Sequence, residues 1–174
     1  MVRQIINLVF LLSCFSVNAQ KYLAKDGVIS FFSEALMEDI SAINNKVSAV
    51  YDKDTKQLAF QLQIKDFIFP KALMQEHFNE NYLESDIYPR SIFLGKIISQ
   101  DMHKTIVEGD LKIHGKTKKI RVDGILKEEK NTVNISAEFI VKLEDYDIKI
   151  PRLVMYKIAE EIEIKIKIEL KERE

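Results

Sequence analysis

The chain has 174 residues, with 26 basic and 27 acidic side chains for a formal charge of −1, 47% hydrophobic residues and one cysteine, Cys14. This length supports one domain with its own core, because ~150 residues bury roughly 68–70% of their unfolded surface. A single cysteine excludes a disulfide framework, and the balanced charge supplies no long-range field to gather phosphates, so nucleic acid is not an expected partner.

Residues 1–19 have the layout of an export signal: Arg3, an apolar run over 5–12 interrupted by Asn7, and small residues leading to Val17-Asn18-Ala19. The run is too short for a transmembrane helix, which needs ~20 apolar residues. Cleavage after Ala19 is the preferred processing and leaves residues 20–174 as the domain. Leu11-Leu12-Ser13-Cys14 resembles a bacterial lipoprotein box, so lipidation at Cys14 is the alternative and the only expected route to membrane contact.

Eight strands are expected, at residues 28–34, 40–51, 58–64, 91–98, 105–113, 120–126, 133–141 and 162–170. The last is the clearest: Ile162, Ile164, Ile166, Ile168 and Leu170 alternate with Glu163, Lys165, Lys167 and Glu169. Period two places the isoleucines on one face of a strand, and a one-residue slip would turn all of them to water. The polar stretches 52–56 and 128–131, and Gly115 between two strand patterns, read as hairpin connections. Eight antiparallel strands form either two stacked sheets or a closed barrel, and the barrel leaves no unpaired edge. A barrel of about eight strands is either filled by its side chains or just wide enough for one small ligand. Gly109 and Gly124 fall on the inward phase of their strands, where they either leave volume or permit bending.

Residues 70–83 break the β pattern. Pro70 suits a first helical turn, and Leu73, Met74, His77, Phe78, Asn81 and Tyr82 then share one face. Such a face packs onto a core or serves as a lid. Ser85-Asp86 and Pro89 end the helix.

Two stretches resemble the YceI-like family. One runs from Met74-Gln75-Glu76-His77-Phe78 through Tyr82-Leu83-Glu84 to Ile87-Tyr88-Pro89; the other is Gly109-Asp110-Leu111-Lys112-Ile113-His114-Gly115-Lys116-Thr117-Lys118. Asp145-Tyr146-Asp147-Ile148 is similar to a third family stretch and extends the resemblance over most of the chain. The resemblance implies an all-β, lipocalin-like antiparallel eight-stranded barrel with one short helix, exported to the periplasm. It also implies a non-catalytic interior that in some members holds a long isoprenoid chain. Three departures bear on the ligand more than on the fold. The leading strand is shortened, the usual Gly before an early aromatic is replaced around 45–50, and an Arg common before the third stretch is absent.

The residues themselves point away from catalysis. His77, His103 and His114 lie far apart, so a metal site lacks its three or four ligands; His77 and Glu80 fit a solvated helix face, and His114 a turn residue bonded to nearby backbone. No nucleophile motif or phosphate-binding loop is present, the pairs Glu128-Glu129 and Glu160-Glu161 sit at element boundaries, and no cofactor is expected. Lys116, Lys118, Lys119 and Arg121 form a basic cluster that suits either a headgroup or a solvated hairpin. The expected partner is an apolar, lipid-like small molecule. Phe60, Leu62, Phe139, Ile164 and Ile166 are expected to line the barrel, with Leu73, Met74 and Phe78 closing it. A homodimer is compatible with the sequence, and a ligand-free envelope interaction or stress-response barrel with a filled interior is the alternative function.

Overall fold

The alternating isoleucines of the C-terminal segment form β8 (Glu161–Glu172), which pairs on one side with β7 (Thr132–Lys142) and on the other with β1 (Lys21–Ser33). That second pairing closes the sheet. The computed structural model describes residues 20–34, 39–149 and 159–173; the expected signal segment and Cys14 lie outside them. The remaining strands are β2 (Ile40–Asp52), β3 (Gln57–Gln63), β4 (Arg90–Gln100), β5 (Thr105–Ile113) and β6 (Lys116–Glu128). All neighbours are antiparallel and the order follows the sequence, giving a closed eight-stranded barrel. Closure leaves no edge strand, unlike two open sheets.

The strands match the expected ones to within a few residues at most ends, and β1 is the exception. It begins at Lys21 rather than at residue 28 because Lys25 and Asp26 form a bulge within the strand: the register shifts between Ala24 and Gly27 while both charged side chains point to water. A bulge adds a residue without ending the strand and increases its twist. β2 answers with two adjacent exposed residues, Asn45 and Lys46. There the fully buried Asn44 donates from Nδ2 to the Gln63 carbonyl at 3.0 Å and accepts at Oδ1 from Lys46 N–H at 2.9 Å. Side-chain amide bonds thus replace ladder bonds where the pattern slips.

One end of the barrel is plugged. Tyr22, Tyr51, Leu58, Ile97, Thr105, Leu126, Val133 and Leu170, one from each strand, point inward there and are all at most 7% exposed. Tyr22 and Tyr51 stack with centroids 6.1 Å apart, and Tyr51 OH donates to Glu128 Oε1 at 3.3 Å. The helix and the β5–β6 turn lie at the other end.

Midway along the barrel, Gly95 and Gly109 face each other across β4 and β5. The Phe93 ring lies over both, and an added Cβ on Gly109 would stand 2.5 Å from Gly95 Cα and 2.7 Å from Phe93 Cζ, nearer still to the Leu94 carbonyl. Gly109 therefore does not leave volume, because an aromatic ring occupies the space above it and Gly95, whereas Gly124 meets no ring and lies on the wall of the open interior. Gly109→Ala is expected to destabilise the barrel by about 3 kcal/mol, because two of the three clashing groups are backbone and cannot rotate away. A urea unfolding midpoint unchanged from the parent would contradict this close packing.

Candidate functional site: an apolar cavity under a helical cap

Inward side chains in the plug layer are fully buried, whereas Phe60, Phe93, Ile135, Phe139, Ile164 and Ile166 point inward yet keep partial exposure. Their exposed surface faces an internal cavity of about 220 Å³ whose wall presents essentially no polar atom to the space. At ~30 Å³ each, that is room for roughly 7 water-sized groups. A site so apolar cannot hold water in place by hydrogen bonds and suits hydrocarbon.

The cap begins with Phe67, Ile68 and Phe69 and continues into α1 (Ala72–His77) and a π-helical turn, Phe78–Tyr82. Phe78 is its anchor. Its ring lies 4.9 Å from Phe69, 5.6 Å from Phe67 and 5.6 Å from Phe31 of β1, so four phenylalanines form one box over the cavity. In the π turn Leu83 N–H donates to the Phe78 carbonyl at 2.9 Å. The five-residue step brings Leu83, 7% exposed, onto the same face as Met74, Phe78 and Tyr82.

Seven of the eight residues expected to contact ligand lie on the cavity wall: Phe60, Leu62, Met74, Phe78, Phe139, Ile164 and Ile166. Leu73 does not. It is 62% exposed, because the helix starts at Ala72 and only the stripe Met74–Phe78–Tyr82 turns inward, leaving Leu73 on the adjacent water-facing edge. The sequence reading missed Phe31, Phe67, Phe69, Phe93, Val107, Leu111, Ile120 and Ile135, which also line the cavity. The alternation Phe67-Ile68-Phe69, with only Ile68 exposed at 57%, was a visible signal for two of them.

Four residues with left-handed backbone gather beside the cap: Glu84 (φ 44°), His114 (φ 48°), Gly115 (φ 75°) and Asp147 (φ 53°). His114 and Gly115 form the two-residue β5–β6 turn, where positive φ at both positions matches the strand twist. The His114 ring does not bond its own turn. Its Nδ1 lies 3.1 Å from the Tyr146 carbonyl and its Nε2 2.7 Å from Glu84 Oε2, while Tyr88 meets it edge-on at 4.6 Å. The carbonyl can only accept, so Nδ1–H donates to it, while Nε2 meets a carboxylate oxygen. This clasp ties the end of the cap to the β5–β6 turn and to the 3-10 turn Leu143–Tyr146. Lys116–Asp147 (2.6 Å) and Lys118–Asp145 (3.1 Å) reinforce it. Two members of the expected basic cluster are therefore already paired with carboxylates. Lys116 holds the Asp147 carboxyl below its ordinary pKa, and Asp147 raises the Lys116 ammonium.

His114→Ala leaves the Tyr146 carbonyl and Glu84 without their ring partner and is expected to lower stability by about 1–3 kcal/mol. Amide hydrogen exchange would show faster opening of residues 72–83, with the plug strands protected as before. Uniform loosening of all strands would show that the clasp is not specific to the cap.

Among the described residues no three His, Cys, Asp or Glu side chains converge as a metal site, and no helix is long and apolar enough to cross a membrane.

The YceI-like domain family matches residues 24–170. Solved structures share the architecture. A polyisoprenoid binding domain from Saccharophagus degradans, implicated in plant cell wall breakdown, superposes with a TM-score of 0.75 at 10% identity, over 89% of this chain and 99% of that one. BcnA of Burkholderia cenocepacia gives 0.73 at 16% identity, over 83% and 95%. The Campylobacter jejuni YceI protein gives 0.68 at 19%, over 81% and 90%. A search of curated proteins found no match. At these identities the structures establish the fold, while the family match runs from β1 to β8 and includes the cap and the clasp: the chain belongs to the YceI-like domain family.

Proposed function

We propose that the protein is an exported carrier that holds the hydrocarbon part of an isoprenoid or another long lipid inside its barrel. The observation that carries this reading is the cavity of about 220 Å³, apolar throughout, plugged at one end and capped by a phenylalanine box at the other. Burial of each methylene is worth ~0.8 kcal/mol, whereas association costs ~4–15 kcal/mol. A wall without polar handles therefore favours a long chain over a sugar or a short acid, with any polar headgroup left outside the apolar space. The solved domain described as polyisoprenoid binding supports this class of ligand. The seven predicted side chains on the cavity wall are its proposed contacts. The open interior weighs against the alternative of a filled, ligand-free barrel. Export through cleavage after Ala19 is part of the proposal and agrees with the periplasmic setting of the family; intact mass separates it from lipidation at Cys14.

Organic extraction of the purified protein followed by mass spectrometry tests the reading. One apolar chain per protein is the expected result. Absence of bound lipid, together with no uptake of an added polyprenyl probe, would overturn it.

A further inference from the structure

Every strand of the barrel has two neighbours, but the seams are not equally long. β6 and β7 pair only from Gly124–Ala137 to Glu128–Val133. Past Gly124–Ala137, residues 119–123 and 138–142 run on as strand, joined to β5 and β8 but not to each other. The two edges meet again where Lys118 reaches Asp145 and Lys116 reaches Asp147. At ~3.4 Å per residue, a slit roughly 17 Å long lies in the wall between these two ties.

Charge explains why the slit does not zip shut. Continuing the β6–β7 register would set Asp123 opposite Glu138 and Lys119 opposite Lys142. Like charges directly opposite destabilise an antiparallel pair. Three of the four instead pair away from the slit: Asp123 with Lys104 (2.6 Å), Glu138 with Lys165 (3.7 Å) and Lys142 with Glu161 (3.2 Å). The β2–β3 seam also stops short, at Ser48–Gln61, but there the chain leading into the cap crosses it. Ile43 and Ile68 exchange backbone bonds of 3.1 and 2.8 Å, and Asn44 holds the Gln63 carbonyl. Among the described residues no hydrogen bond or ion pair joins 119–123 to 138–142.

The cavity lies directly behind the slit. Ile120 and Val122 line it from one edge, Phe139 and Val141 from the other, and Gly124 stands without a side chain at the rung where pairing ends. Outside, Ile140 is 54% exposed and Ile125 40%, so the lips carry apolar surface among their charges. Passage through the cap, by contrast, must part the phenylalanine box and break the His114 clasp.

We propose that lipid crosses the barrel wall through the β6–β7 slit, held open by its like charges, and that the neck of the bound lipid rests between Val122 and Phe139 with its head group outside. This rests on the carrier reading and adds to it the route and an outer subsite.

Lys119→Thr/Asp123→Lys removes one like-charge pair and converts the other to an opposite pair, at the loss of an exposed Lys104 contact that water screens. The seam should then close. Amide hydrogen exchange should slow at 119–123 and 138–142, the melting temperature should hold or rise, and stopped-flow uptake of a fluorescent polyprenyl probe should slow about tenfold. Damage to the fold would not slow uptake in a barrel that is no less stable. A second measurement does not depend on closing the seam. The chain has no tryptophan, so Ile140→Trp at the slit and Leu73→Trp on the cap each supply a single reporter. A polyprenyl probe with a nitroxide on its head group should quench the first strongly and the second little. A parent that binds neither probe defeats the carrier reading itself. A parent that binds, with uptake or seam protection unchanged in the double variant, or with stronger quenching in the Leu73→Trp protein, overturns the slit alone.

Discussion

Ala137→Trp is expected to empty the barrel of lipid while leaving it folded. Ala137 lies on the cavity wall between Ile135 and Phe139, with Gly124 and Ile166 as its cross-strand neighbours, so a larger side chain there enters the space itself. An indole adds nine heavy atoms to a cavity with room for roughly 7 water-sized groups, enough to fill it. At ~0.8 kcal/mol per methylene the displaced part of a chain would lose up to ~6 kcal/mol, and even half that figure weakens binding more than a hundredfold. Ala137→Phe should fall between the parent and Ala137→Trp. Titration with a fluorescent polyprenyl probe reads the affinity, and thermal melting confirms that each variant folds. Undiminished binding by a folded Ala137→Trp protein would place the lipid somewhere other than the cavity.

The second large effect is a loss of stability in alkali. Burial pushes Tyr51 up to about 12, assisted by the Glu128 carboxylate and its hydrogen bond; burial likewise raises Tyr146 to about 12, with Asp145 adding to it. Both side chains are almost wholly buried, 1% and 2% exposed. In the unfolded chain a tyrosine ionises near ~10. A group with a raised folded pKa contributes stability that is fully present below the unfolded value and lost as pH rises through the folded one. Between pH ~10 and ~12 each tyrosine therefore withdraws on the order of 2–3 kcal/mol, together a large share of the ~5–15 kcal/mol that holds a domain of this size. Surface ion pairs such as Lys53–Glu128 (2.8 Å) also fade in this range, but water screens them and their contribution is small. Urea unfolding followed from pH 9 to 12 should show a falling midpoint in the parent. The Tyr51→Phe/Tyr146→Phe double variant should show a much flatter profile. Equal slopes in the two proteins would mean that the phenols do not control alkaline stability.

The strand phases were legible in the sequence because a barrel wall has one wet and one dry face, and that contrast prints a period of two on the chain. β3, β5, β7 and β8 could be placed from this contrast nearly to the residue, and with them Phe60, Leu62, Phe139, Ile164 and Ile166 on the inner wall. The start of β1 was not legible, since a bulge exposes two consecutive charged residues and looks the same as a turn. The cap was only half legible. Helical spacing groups Leu73, Met74, His77 and Phe78 on one side, but which edge turns inward depends on where the π turn adds its residue and on where Phe31 waits across the barrel mouth.

Local pattern therefore determined an antiparallel eight-stranded protein with an apolar inner face and one interrupting helix, because alternation and turn chemistry are properties of neighbouring residues. Tertiary structure alone decided whether the interior was full or open, since that depends on how eight walls meet at an axis. It also decided that Gly95 and Gly109 shelter the Phe93 ring and that His114 clasps Glu84 and Tyr146 from 30 and 32 residues away. Such contacts join parts of the chain brought together only when β8 closes on β1, and no periodicity within a single strand records them.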